Sequence, residues 1–392
     1  MRGKRIFVLT PALSLLLAAG CTSTETTSDN RGDIVVGASI ELTGANAEIG
    51  TAYEQALRLK VDQLNDSGAL RGHTIRLDVR DNRGDASVAT SQMTEFGSNT
   101  GVTAAVMGVC VECVVAAAPA INDKRLPTVA LAPSSQVDAP VSERQFIFKL
   151  APNVDQDATT LFEELGRARP AVRTIGLLTT TDAYGTGARE TMIHELDGSP
   201  IHVGPVAQVN PTDVDLGPAV RTITQVKTAP EAVVVMAFPA QARLAITELR
   251  GAGFKGQIYL DASAAGDLFL PASAAASAEN ATLVFTQTLA IDDVIATTPA
   301  KAARKQWFQD YTARYGSYYA QASFAADAVQ LIADAVGRAG STDRTAIRAA
   351  METAQFDGLT GPIRLAPENH SGLTPQSLTV LVARGGRWRL VA

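Results

Sequence analysis

Two cysteines in the run Cys110-Val111-Glu112-Cys113 are the pair of side chains whose spacing most directly suggests chemistry. A C-x-x-C pair can act as a redox couple, as half of a metal site, or as a small structural disulfide. A zinc site needs two further ligands, and His73, His194, His202 and His370 are scattered without ligand spacing. No thioredoxin-like context surrounds the pair, so a disulfide or two buried thiols is the expected state, and metal and redox roles are not assigned. Other catalytic signatures are missing. The chain has no G-x-S-x-G elbow, no H-E-x-x-H, no P-loop and no G-x-G-x-x-G fingerprint, and Gly185-Thr186-Gly187 is too short to count as one. Carboxylates are plentiful, yet nothing in the sequence singles out two of them as an acid/base couple. No cofactor is implied, and the pattern reads as binding, not turnover.

Composition narrows the partners. The 392 residues carry 34 Lys and Arg against 40 Asp and Glu, a formal charge of −6, and only 5% of residues are aromatic. A phosphate backbone wants clustered cations, so nucleic acid is excluded as a partner. The length suits two domains. At the N-terminus Arg2, Lys4 and Arg5 precede an apolar stretch from Ile6 to Leu17 that is short for a membrane span, then Leu17-Ala18-Ala19-Gly20-Cys21. This looks like a bacterial lipoprotein signal at residues 1–20, with Cys21 lipidated after cleavage. The alternative is plain secretion with an unmodified Cys21. Polar residues 21–32 read as a tether. In an oxidising compartment Cys110 and Cys113 then remain as an even pair.

The elements that position these residues alternate. Ile34–Ile40, Thr74–Arg80, Thr103–Met107, Pro127–Leu131 and Phe146–Leu150 read as strands, with helices over Ala86–Gly97, Val114–Asn122 and Asp157–Arg167. Tyr53, Leu57, Val61 and Leu64 form one helical stripe. The pattern restarts with strands at Arg173–Thr179, His202–Val209, Ala232–Met236 and Gln257–Leu260, separated by helices near 187–196, 214–226 and 240–251. A strand at 282–285, helices at 301–315, 320–340 and 343–355, and trailing strands at 361–365, 378–383 and 387–391 complete the chain. Strand–helix alternation of this kind implies an α/β protein with two doubly wound, Rossmann-like lobes. Ligands then gather in loops at the carboxyl ends of strands, here 41–50, 109–113, 132–138 and 180–187.

Taken in order, Ile40-Glu41-Leu42-Thr43-Gly44, Arg71-Gly72-His73, Ala105-Val106-Met107-Gly108, Ala132-Pro133-Ser134-Ser135, Asp182-Ala183-Tyr184-Gly185-Thr186-Gly187 and Phe356-Asp357-Gly358-Leu359-Thr360-Gly361-Pro362 resemble the type I solute-binding proteins of branched-chain amino-acid (Leu/Ile/Val) ABC transporters. The resemblance implies lobe 1 over 33–152 and 286–355, lobe 2 over 153–285 and 356–392, and a ligand cleft between them. Three crossings are expected near Pro152, Thr286 and Phe356. It further implies hinge closure over a small polar solute, an amino acid or a related amine or amide, and delivery to ABC permease subunits. The protein would be a monomer held on the extracytoplasmic face of the cell membrane through Cys21. A ligand sensor of the same fold and, more remotely, a hydrolase on this scaffold are the rival readings.

By the same resemblance, solute contacts fall on Ile49, on Val111 or Glu112 where a serine is usual, on Ser134, Ser135 and Gln136, and on Tyr184 and Phe238. The acid that holds an ammonium falls at Asp261–Ala262, with strict alignment landing on Ala262. Glu112 departs most from the pattern. A solute carboxylate beside it would meet like charge, so Glu112 either anchors a cation itself or points to solvent from a helix N-terminus.

Overall fold

The computed structural model of the chain describes Gly3, residues 32–267 and residues 270–391. Apart from Gly3, the leader at 1–20, with the lipidation position Cys21, lies outside the described residues. No helix among the described residues is long and apolar enough to cross a membrane.

The first sheet holds five parallel strands: β1 (Asp33–Ile40), β2 (Thr74–Asp81), β3 (Val102–Met107), β4 (Thr128–Ala130) and β5 (Ile147–Lys149), in the order β2-β1-β3-β4-β5. Every residue of β3 is buried, as a central parallel strand covered on both faces requires. Helices α1 (Ala47–Asp66), α2 (Ala86–Ser98) and α3 (Val111–Asp123) make the crossovers. The expected stripe of α1, Tyr53, Leu57, Val61 and Leu64, is buried along its length.

After α4 (Val154–Arg167) the same order recurs. Strands β6 (Thr174–Thr180), β7 (His202–Val209), β8 (Ala232–Met236), β9 (Gln257–Leu260) and β10 (Thr282–Thr286) lie as β7-β6-β8-β9-β10, with α5 (Ala183–Glu195), α6 (Gly217–Thr224), α7 (Pro239–Gly251) and α8 (Ala272–Ala278) between them. The chain then returns to the first sheet's layer with α9 (Pro299–Tyr315), α10 (Ala322–Ala339) and α11 (Arg344–Met351). Tyr311 of α9 and Gln55 of α1 share a hydrogen bond of 2.8 Å, and Asp327 of α10 caps the turn at Leu359 and Thr360 through their amides.

Two differences from the sequence reading have clear causes. The helix expected over 343–355 stops at Met351, and Gln355–Asp357 instead forms β11, paired antiparallel with β12 (Pro362–Arg364). The third crossing comes later than Phe356. Ser371 bridges to Lys149 of β5 and His370 stacks on Phe148 at 4.3 Å, which holds residues 362–373 against the first sheet and not the second. Only then does the chain cross to β13 (Leu378–Arg384) and β14 (Arg387–Leu390), a hairpin turned by Gly385-Gly386 that docks antiparallel on β10.

Candidate functional site

Both sheets reverse strand order beside their first strand, between β1 and β3 in one and between β6 and β8 in the other. Such switch points leave a crevice at the carboxyl ends of the strands. The two crevices face each other across one cleft of about 410 Å³. Thr43, Asn46, Arg83, Val111 and Glu112 line one wall, and Asp182, Tyr184, Thr212 and Phe238 line the other.

The first wall is built on Glu41, which follows β1 and is 1% exposed. Its carboxylate accepts from the amides of Val109 (2.9 Å) and Cys110 (3.2 Å) and from Asn82 Nδ2 (3.2 Å). Burial pushes its pKa up while these donors pull it back. Gly108 is required here, because a Cβ on it would stand 2.0 Å from Glu41 Oε2. Glu41 therefore already occupies amides that a solute anion could otherwise use.

Cys110 is the N-cap of α3, its sulfur accepting from the Cys113 amide at 3.1 Å, and it is disulfide-bonded to Cys113. This cap starts α3 three residues before the apolar periodicity does, which brings Glu112 into the first turn. Glu112 points neither to solvent nor along its own helix axis. Its Oε1 accepts from the amide of Ala183, the first residue of α5, at 2.5 Å, and so ties the two walls together. Helix N-termini attract anions, and here the protein supplies its own.

On the second wall Asp182 caps α5 through the Gly185 amide (2.9 Å) and accepts from Thr180 Oγ1 (2.6 Å). Burial, with a contribution from the facing Glu112 charge, raises its pKa. Tyr184 and Phe238 pack ring against ring at 4.7 Å. Behind them the Tyr184 hydroxyl donates to Asp261, a fully buried carboxyl that burial pushes up to about 7.

The expected contacts thus separate. Val111, Glu112, Tyr184 and Phe238 line the cleft. Gln136 is exposed and lies across from α5, its Nε2 3.8 Å from where a Cβ on Gly187 would stand. Ser134 turns its hydroxyl to the Gln136 amide (3.2 Å), and Ser135 is half-buried in the same turn. Ile49 belongs to the core, Ala262 is buried, and Asp261 lies behind Tyr184. Arg83, Asp182 and Thr212 were not picked out in the sequence as cleft residues. Asp182 carried a usable signal, since an aspartate after a strand and before a small-residue turn is a natural N-cap. Arg83, held at φ 61° by the turn after β2, carried none.

Comparison with known proteins agrees with this geometry. Residues 33–386 match the family model described as periplasmic binding protein. An extracellular ligand-binding receptor from Rhodopseudomonas palustris HaA2 superposes with a TM-score of 0.83 at 20% identity, covering 91% of this chain and 99% of that one. The branched-chain amino-acid transporter substrate-binding protein LivJ from Streptococcus pneumoniae, solved with isoleucine, gives 0.77 at 20% identity, covering 92% and 99%. A solute-binding protein of an ABC transporter from Rhodopseudomonas palustris BisB5, solved with 3,4-dihydroxybenzoic acid, gives 0.79 at 17% identity, covering 92% and 96%.

Proposed function

The chain belongs to the periplasmic binding protein family, and from that premise we propose that it is the extracytoplasmic, lipid-anchored solute-binding component of an ABC importer. The observation that carries the reading is the single cleft walled by the switch-point loops of both sheets. A solute held there touches both lobes, binds the closed form better than the open one, and shifts the population toward closure. A permease that recognises the closed form then receives loaded protein only. Lipid on Cys21 would keep the binder near its permease and raise its effective concentration there. In this reading lobe 1 comprises 33–152 and 286–373, and lobe 2 comprises 153–285 and the residues from 374 onward.

The solute is small and polar: an amino acid or a related amine or amide. Relatives of the same fold were solved with isoleucine and with 3,4-dihydroxybenzoic acid, so the scaffold tolerates both an amino acid and an aromatic acid. Val111, Glu112, Tyr184 and Phe238 are the contacts proposed for this chain. The test is a thermal-shift screen of the mature protein against amino acids, amides and small acids, followed by small-angle scattering of each hit. A true solute raises the melting temperature by mass action and reduces the radius of gyration. A panel without hits, or hits that leave the radius unchanged, would overturn the reading, as would consumption of the bound compound.

A further inference from the structure

The disulfide between Cys110 and Cys113 stands on the wall of the cleft. It closes a ring over Cys110-Val111-Glu112-Cys113. The two residues inside the ring, Val111 and Glu112, line the cleft, and so does Cys110. A cross-link removes chain freedom, so this bond fixes the point from which the Glu112 side chain sets out. From there Glu112 Oε1 reaches the Ala183 amide at 2.5 Å. Ala183 is the first residue of α5, and an amide at that position has no acceptor within its own helix. Glu112 supplies the acceptor from the other lobe. One covalent bond in lobe 1 thus steadies a contact to lobe 2.

The two sulfurs differ in access. Cys113 is 1% exposed, whereas Cys110, at 7%, forms part of the cleft surface. A solute lying against that wall covers it, and lobes that move apart uncover it. Acceptors crowd the pair. Glu112 Oε2 is 3.9 Å from Cys110 Sγ, the Gly84 carbonyl is 3.8 Å away, and a carboxylate oxygen of Glu41 lies within 4.8 Å of both sulfurs. Asp182 adds its charge from the facing wall, close enough to be affected by Glu112. In the disulfide neither sulfur carries a proton or a charge. Once reduced, Cys110 disturbs Glu112 in either protonation state. A thiol donates to the carboxylate and competes with Ala183, and a thiolate repels it.

Resting on the solute-binding reading, we infer that the Cys110–Cys113 disulfide is a redox-controlled brace on the cleft: reduction by an external dithiol releases Val111 and Glu112, loosens the tie to lobe 2 and weakens the hold on the solute. A thiolate of the dithiol attacks Cys110 Sγ from the cleft. The S–S bond breaks, and Cys113 leaves as a thiolate and takes up a proton. The second thiol of the dithiol then displaces the Cys110 sulfur, which is protonated in turn, and closes the dithiol's own disulfide. Two electrons pass from the dithiol to the protein. By linkage, a solute that prefers the braced form shifts the thiol–disulfide equilibrium toward the disulfide by the same factor that reduction takes from its affinity.

The experiment is amide hydrogen exchange on the mature protein, oxidised or held in dithiothreitol, with free thiols counted by maleimide labelling. Dithiothreitol should free Cys110 and Cys113 in folded protein, and exchange at the Ala183 amide should quicken about tenfold while β3 and β8 keep their protection. Equal exchange at Ala183 in the two states, or a disulfide that folded protein withholds from dithiothreitol, overturns the brace and leaves the solute-binding reading standing. The double variant Cys110→Ser, Cys113→Ser should exchange fast with or without dithiothreitol. A response of that variant to dithiothreitol traces the effect to Cys21 and also overturns the brace. Leucine and 3,4-dihydroxybenzoate then serve as probes in thermal-shift titrations, and the one that binds should bind reduced protein about fivefold more weakly. Equal affinity for both redox states overturns the proposal. If neither these probes nor any panel compound binds, the solute-binding reading falls, and exchange at Ala183 still decides the brace.

Discussion

Glu112 shows how one side chain changes what a cleft accepts. Its carboxylate already sits on the Ala183 amide, so a solute carboxylate brought to the same helix end meets both competition and repulsion. Glu112→Gln keeps an acceptor and removes the charge. We expect it to tighten carboxylate solutes and weaken amines by about 1 kcal/mol, roughly fivefold, in titration calorimetry; equal affinities would show that Glu112 only ties the walls together. Gly108→Ala is a second test at this scale. Its Cβ would displace Glu41 from the Val109 and Cys110 amides, at a cost of about 2–4 kcal/mol in urea denaturation. Of the site, Val111, Glu112, Tyr184 and Phe238 were legible in the sequence through family resemblance. Ser134 was misleading, because its hydroxyl is spent on its own turn. Asp261 was reached in the sequence only through the resemblance, and its place behind Tyr184 was not legible, because that relation joins residues far apart in the chain.

At the scale of elements, hydrophobic periodicity found most strands and helices, and two of its errors sit at helix starts. Both α3 and α5 begin before their apolar stripe does, because Cys110 and Asp182 cap them. Those extra residues carry Glu112 and Tyr184, so the missed boundary and the missed geometry are one fact. The cap at Cys110 is reinforced by its disulfide to Cys113. Replacing both cysteines by serine should cost about 2 kcal/mol, a modest figure because the loop it closes is short, measured as a shift of the urea midpoint. Helix α11 was read too long because the run after Met351 stays compatible with a helix, whereas pairing with β12 makes Gln355–Asp357 extended.

For the whole molecule, the two lobes are tied by contacts that need no solute: Glu112 with Ala183, and Glu48 of α1 with Arg243 of α7 at 2.8 Å. The ion pair is partly exposed, so it contributes about 0–1 kcal/mol. Arg243→Ala should shift the unliganded protein toward the open form, seen as a larger radius of gyration, and weaken solute binding by up to about fivefold. Two doubly wound halves were legible from the repeated strand–helix alternation. The late third crossing was not, because the bridge between Ser371 and Lys149 joins positions that local pattern cannot relate.

The hairpin of β13 and β14 has a consequence for how the polypeptide is made. The sheet that begins at Thr174 stays unfinished until Leu378 and its successors arrive to shield the flank of β10. During synthesis that half cannot complete its sheet until residues 378–390 have emerged. A premature stop after residue 377 would leave an uncovered strand edge, ready for unwanted pairing with other chains and for proteolytic removal.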